Sequence, residues 1–135
     1  PITDPYVVHH GALGSFAVIH CPEAANKNQI AEWCASQKGV TEVYLKAEAA
    51  SKLQLPEDRL GDIVVLSGRD VVLGRTPAHH DLKALKVGLR SHGGRYEEMV
   101  PFIFSAPLKQ DFHQKGLGDP RNFEVFSYTI NGLQD

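Results

Sequence analysis

Asp62-Ile63-Val64-Val65-Leu66, followed by Ser67-Gly68-Arg69-Asp70 and then Val71-Val72-Leu73, is the stretch whose reading decides the fold. Two runs of β-branched and leucine side chains flank a short polar segment that contains glycine, the pattern of a β-hairpin. Upstream, Ser15-Phe16-Ala17-Val18-Ile19-His20 reads as a strand bounded by Gly14 and Pro22. Asn26-Lys27-Asn28-Gln29 puts a capping side chain three positions before a glutamine, which opens a helix. Ile30, Trp33 and Cys34 then form one apolar stripe, and Gly39 stands where helices commonly end. Val40-Thr41-Glu42-Val43-Tyr44-Leu45 alternates as a second strand. Ala47 to Leu53 is a helix-forming stretch stopped by Pro56. The order β-α-β-α-β-β over about residues 15–74 predicts a small α+β lobe, with its helices on one face of a mixed sheet.

Downstream the pattern changes. Thr76-Pro77 ends the hairpin, a His-rich segment follows, and Leu85, Val87 and Leu89 lead into Arg90-Ser91-His92-Gly93-Gly94. Val100-Pro101-Phe102-Ile103-Phe104-Ser105-Ala106 is too uniformly apolar for a half-exposed strand, so it predicts a strand covered on both faces, with Pro101 at its start. Asp119-Pro120 caps a helix on which Phe123, Phe126 and Ile130 share a face, ended by Gly132. A buried-type strand and an amphipathic helix need more sheet to pack on, and the expected source of that sheet is upstream of this sequence.

The bulk numbers narrow the function classes. The chain has 135 residues, 42% hydrophobic and 22% charged, which is the balance of a folded globular protein rather than a disordered one. A formal net charge of −2 without blocks of like charge argues against a nucleic-acid or membrane-surface partner. No apolar run approaches the roughly 20 residues that span a bilayer. The opening Pro1-Ile2-Thr3-Asp4 has no secretory pattern, and it lacks Met, so a chain processed or cut from something longer is expected. Cys34 falls on a helical pattern and Cys21 at a strand end, which predicts two reduced thiols and a cytoplasmic setting.

Seven histidines, His9, His10, His20, His79, His80, His92 and His113, raise the question of a metal. Adjacent pairs such as His9-His10 and His79-His80 diverge by about 100° on a helix and point to opposite faces of a strand. No HxxxH, CxxC or HExxH spacing occurs. The sequence fits polar surface or loop roles for these pairs, and His79-His80-Asp81 equally suits a loop entering a helix. His92 differs, because it lies at the end of an apolar stretch and before two glycines. Functional groups of α/β proteins collect on loops beyond strand ends, where glycines permit close approach. Neutral imidazole is a good zinc ligand, and its second nitrogen needs a partner, for which Glu97 and Glu98 are the candidates. GxSxG, Walker A and GxGxxG signatures are absent.

Several stretches carry a family resemblance. Glu42-Val43-Tyr44-Leu45-Lys46 and Leu55-Pro56-Glu57-Asp58-Arg59-Leu60-Gly61-Asp62-Ile63-Val64-Val65-Leu66 resemble the segment before the last metal histidine in phosphodiesterase-like members of the alkaline phosphatase superfamily. His92-Gly93-Gly94, with Glu98-Met99-Val100-Pro101-Phe102-Ile103-Phe104, is similar to that superfamily's terminal HG element and the core strand after it. The opening Ile2-Thr3-Asp4-Pro5-Tyr6-Val7-Val8-His9-His10-Gly11-Ala12-Leu13-Gly14-Ser15 and Arg90-Ser91-His92-Gly93-Gly94-Arg95-Tyr96-Glu97-Glu98 resemble the phosphonoacetate hydrolase family.

The resemblance implies an α/β protein made of an alkaline phosphatase-like core element and a small α+β cap lobe. It divides the chain into a junction at 1–14, the cap lobe at 15–84 and the C-terminal part of a metal-bearing core at 85–135. It further implies a hydrolase with two zinc ions that cleaves the carbon–phosphorus bond of phosphonoacetate to acetate and phosphate, through a threonine nucleophile. Of the metal ligands only the last histidine maps here, onto His92. The nucleophile, the remaining ligands and the substrate-binding lysines are expected upstream, so the isolated chain is expected to be inactive. The expected partners are a small phosphonate and the upstream remainder of the same enzyme, with a homodimer as a further assembly. His9 and His10, at the junction, receive no assigned role. A different class of reading is a stand-alone α+β binding or regulatory module with surface histidines. Such a module should bury Phe102, Ile103, Phe104, Phe123 and Phe126 within its own length.

Overall fold

The computed structural model describes residues 14–74, 76, 92–116 and 118–134. The expectations on His9, His10, His79, His80, Asp81, Leu85, Val87 and Leu89 therefore lie outside the described residues. The chain divides into two compact units, Pro1–Glu98 and Met99–Asp135.

In the first unit three strands, β1 (Phe16–Ile19), β2 (Val40–Leu45) and β3 (Ile63–Ser67), form a sheet in the order β1-β3-β2. Between the strands lie helices α1 (Lys27–Ala35) and α2 (Lys46–Leu53). Both pairings are antiparallel, Phe16 opposing Leu66 and Ile19 opposing Ile63 on one side, Val40 opposing Ser67 and Leu45 opposing Ile63 on the other. The mixed sheet expected from the β-α-β order is thus corrected. β1 and β2 do run the same way with α1 between them, but β3 enters antiparallel between the two, so no parallel pair forms.

The hairpin expectation fails for the same reason. Both edges of β3 are occupied, which leaves no ladder for Val71-Val72-Leu73. A turn does follow β3, with the Val71 amide donating to the Gly68 carbonyl at 3.2 Å and Asp70 at φ 62°. The chain then leads Leu73 to Gly14, where an isolated antiparallel bridge forms.

Side chains alternate across a strand, and here each face of β3 meets a different helix. Val64 and Leu66 pack with Ala49 of α2, Leu60, Phe16, Tyr44 and Leu53. Ile63 and Val65 pack with Cys34 and Ile30 of α1, Ile19, Val40 and Val43. Helices therefore cover both faces, not one, and every residue of β3 is buried. That is why Ile63-Val64-Val65-Leu66 reads as a continuous apolar run rather than an alternating one.

Local chemistry sets the helix ends. The Asn26 side chain accepts from the Gln29 amide at 3.1 Å, the cap expected from the sequence. Of the predicted α1 stripe, Cys34 is buried, whereas Trp33 is 64% exposed. Helix α2 starts directly after β2 and ends at Gln54, whose left-handed backbone turns the chain before Pro56. Both cysteines are free thiols, as expected, and burial pushes the Cys34 thiol up, with Cys21 beside it.

The second unit holds α3 (Gln110–Gly116) and α4 (Val125–Asn131), joined to each other through a bridge between Leu108 and Leu133 outside the helices. Tyr128 is fully buried, with the rings of Phe102, Phe104 and Phe112 at 5.2, 5.6 and 5.3 Å. One expectation is corrected here, and one is met. Residues 100–106 form no strand, because among the described residues no neighbour supplies a ladder for them; Ile103 is 84% exposed. The Phe123, Phe126 and Ile130 face stays open, with Phe126 70% and Ile130 79% exposed, and Tyr128 is the side chain of α4 that is buried. No helix among the described residues is long and apolar enough to cross a membrane.

Candidate functional site at the neck of the lobe

Gly14, just before β1, and Leu73, after β3, are hydrogen-bonded to each other. The Leu73 amide donates to the Gly14 carbonyl at 2.7 Å and the Gly14 amide returns to Leu73 at 3.4 Å. The Ser15 and Ser67 side chains both donate to the Val71 carbonyl, at 3.3 and 2.6 Å. The two ends of the three-stranded unit are therefore tied into one neck.

His92 lies on this neck. Its carbonyl accepts from the Ser15 amide at 2.8 Å, and its imidazole rests over Gly14, where a Cβ would stand 3.1 Å from the ring Cε1. The residue is exposed. Gly93 follows at φ 80°, a backbone that side chains disfavour, and Gly94 packs so closely on Ser15 that a Cβ there would lie 2.8 Å from the serine Cβ. The two glycines thus turn the chain sharply after the histidine and let it lie against the lobe.

The segment after them is anchored by charge. Arg95 donates through Nε to Glu42 Oε1 at 3.0 Å and through a terminal nitrogen to Oε2 at 2.9 Å, a two-pronged pair. Its other terminal nitrogen donates to Glu98 at 2.7 Å. Tyr44 adds its hydroxyl to Glu42 Oε2 at 2.5 Å. The Arg95 hydrogen bonds hold the Glu42 carboxyl below the usual carboxylate range, helped by Tyr44 and opposed by partial burial. The same bonds, Glu42 first and Glu98 second, raise the Arg95 guanidinium above its ordinary value. Arg69, in the turn after β3, stacks over the Tyr96 ring at 5.1 Å. Of the two carboxylates considered for the second nitrogen of His92, Glu98 gives one oxygen to Arg95.

None of Glu42, Tyr44, Arg69 and Arg95 stood out as functional in the sequence. Glu42 and Tyr44 share a face of β2 by alternation, but nothing in the residue order announces a pair 53 positions apart. The other described histidines, His20 after β1 and His113 on α3, are exposed. Among the described residues no three His, Cys, Asp or Glu side chains gather where they could hold a metal ion. A catalytic zinc takes three protein ligands. His92 fits as one of them by chemistry and exposure, and the described residues do not complete the set.

No protein-family model matches the chain. Solved structures do, among them two of phosphonoacetate hydrolase from Sinorhizobium meliloti 1021. One is in complex with phosphonoformate (TM-score 0.65) and the other with phosphonoacetate (TM-score 0.64). Each is 40% identical and covers 96% of this chain, whereas this chain covers 31% of each of them. At 40% identity the likeness extends beyond shared architecture to the sequence itself, and the resemblance read from the residues stands: along nearly all of its length, this chain is similar to about a third of a phosphonoacetate hydrolase.

Proposed function

We propose that the chain is the C-terminal portion of a zinc-dependent hydrolase that cleaves phosphonoacetate to acetate and phosphate. Residues 15–84 form its cap lobe, and residues 85–135 the C-terminal part of its alkaline phosphatase-like metal core. The observation that carries the reading is 40% identity sustained over 96% of the chain to a phosphonoacetate hydrolase. In the reaction the carbon–phosphorus bond breaks, a water oxygen becomes bonded to phosphorus, and a proton goes to the departing carbon. Zinc, when bound, supplies Lewis acidity at the phosphonate oxygens. This chain's contribution is His92, one ligand held at the neck of the lobe, and the lobe itself. The nucleophile and the other ligands belong to the upstream remainder, so the chain alone is inactive.

Three further observations support a part of a larger body over a stand-alone module. The paired neck at Gly14 and Leu73 suits an inserted lobe. Of the five apolar residues that a self-sufficient module would bury, Ile103, Phe123 and Phe126 are exposed and Phe102 and Phe104 are half-buried against Tyr128. The buried Tyr128 hydroxyl has no hydrogen-bond partner among the described residues, although a buried phenol ordinarily finds one.

The test measures bound zinc and phosphate release from phosphonoacetate, for this chain alone and for the full-length enzyme carrying His92→Ala. The chain alone should bind no stoichiometric zinc and release no phosphate. The variant should lose zinc and fall in activity by more than the roughly 10–100-fold that loss of a group behind a ligand costs. Unchanged zinc and activity in the variant would overturn the assignment of His92. Stoichiometric zinc in the isolated chain would overturn the one-ligand reading and move attention to His79, His80 and Asp81.

A further inference from the structure

We propose that Glu42 and Arg95 are positioning residues: their two-pronged pair fastens the segment that carries His92 to strand β2, so that the lobe and the imidazole keep one fixed relation. The inference rests on the reading of His92 as a metal ligand.

An imidazole followed by two glycines has little stiffness of its own, and something else must fix where it points. The structure provides anchors on either side. Before the glycines, the Ser15 amide holds the His92 carbonyl at 2.8 Å. After them, both oxygens of Glu42 receive Arg95, at 3.0 and 2.9 Å, and Arg69 covers Tyr96. Every one of these contacts joins the segment to the lobe: to the neck, to β2 and to the turn after β3. A displacement of the lobe would therefore carry the segment, and with it the histidine, while loss of the Glu42–Arg95 pair would leave the segment held at the neck by Ser15 and at Tyr96 by Arg69, with its tie to β2 gone.

The arrangement also differs from an ion pair that merely adds stability. The lobe has one of those at the opposite end of its sheet, where Lys27 meets Asp62 at 2.6 Å, beside the pairing of Ile19 with Ile63. The Arg95 pair is placed three residues from His92, and its planar fork fixes direction as well as distance, which a lysine would not do.

The experiment uses the full-length zinc enzyme with Arg95→Ala, Glu42→Ala, the double variant, Arg95→Lys, Glu42→Gln, Asp62→Asn and His92→Ala. Zinc Kd is read by competition with a chelator, kcat and KM by phosphate release, and amide exchange at Ser15 by hydrogen–deuterium exchange. Arg95→Ala and Glu42→Ala should each weaken zinc binding about 10–100-fold, lower kcat more than they raise KM, and speed exchange at Ser15. The double variant should be no worse than either single one, because each residue acts through the other. Arg95→Lys and Glu42→Gln, which keep the bulk of the side chains, should show the same loss in smaller degree. Asp62→Asn should lower the melting temperature and leave zinc Kd unchanged. Wild-type zinc Kd and kinetics in the Arg95 and Glu42 variants, with zinc lost in His92→Ala, would overturn the positioning role and leave the proposed function standing. Zinc retained in His92→Ala would overturn both. An equal loss of zinc affinity in Asp62→Asn would overturn the positioning role in favour of general stability.

Discussion

If β3 is the middle layer of a helix–sheet–helix lobe, Val64→Ala and Val65→Ala must both be costly, although adjacent residues point to opposite faces. Val64 is fully buried against α2, and Val65 is 5% exposed against α1. Each substitution removes two methyl-sized groups, at about 0.8 kcal/mol apiece, and leaves a cavity that the sheet cannot fully close. The expected loss is about 2–3 kcal/mol for either variant. For a strand covered on one face only, one of the two positions would be a surface site, where substitutions stay within about 0.5 kcal/mol. The assay is urea unfolding of the 135-residue chain followed by far-ultraviolet circular dichroism. Fluorescence is a poor reporter, because the single tryptophan, Trp33, is 64% exposed in the folded chain. With a urea dependence of about 1–3 kcal/mol per molar, both midpoints should drop by roughly 0.7–3 M. A near-neutral result for one valine, with a large loss for the other, would refute the two-sided burial and restore the one-faced lobe that the sequence suggested.

Two further predictions concern the lobe. The hydrogen bond from Lys27, and then the Cys21 amide at 2.8 Å, hold the Asp62 carboxyl down from an ordinary 3.8 to about 2. A depressed carboxylate stabilises the fold above its unfolded value and ceases to do so once protonated. The melting-temperature advantage of wild type over Asp62→Asn should therefore be full above about pH 4 and fade as pH falls towards 2; an advantage independent of pH over that window would refute the assignment. Gly61→Ala should destabilise by about 1–3 kcal/mol in the same urea assay, since its Cβ would need the space of the Val18 Cγ1 and of the Ile19 carbonyl oxygen, 2.7 Å away; a neutral outcome would refute that close approach.

What was legible in the sequence follows the range of the forces involved. Asn26 capping α1, the alternation of β2, the helix formers of α2 and the unbroken apolar run of β3 are local signals, each read within a few residues of where it acts. His92 drew attention in the sequence through its neighbours Gly93 and Gly94 and the family resemblance they carry; its role as a metal ligand stays the proposal made above. Strand order was not legible, because it is a competition for β3's two edges among segments far apart in sequence. Val71-Val72-Leu73 has strand chemistry and still lost that competition to β1 and β2, after which Leu73 closed the neck on Gly14. Nor did the sequence reveal that helices lie on both faces of the sheet, or that Glu42 and Arg95 meet. Those contacts exist only once α1 and α2 have taken opposite sides of β3 and the chain after Gly93 has folded back along β2. The buried-type character of residues 100–106 is the converse case. Its apolar side chains state what they need, but a strand needs a neighbour's hydrogen bonds, and whether one is present is decided in three dimensions.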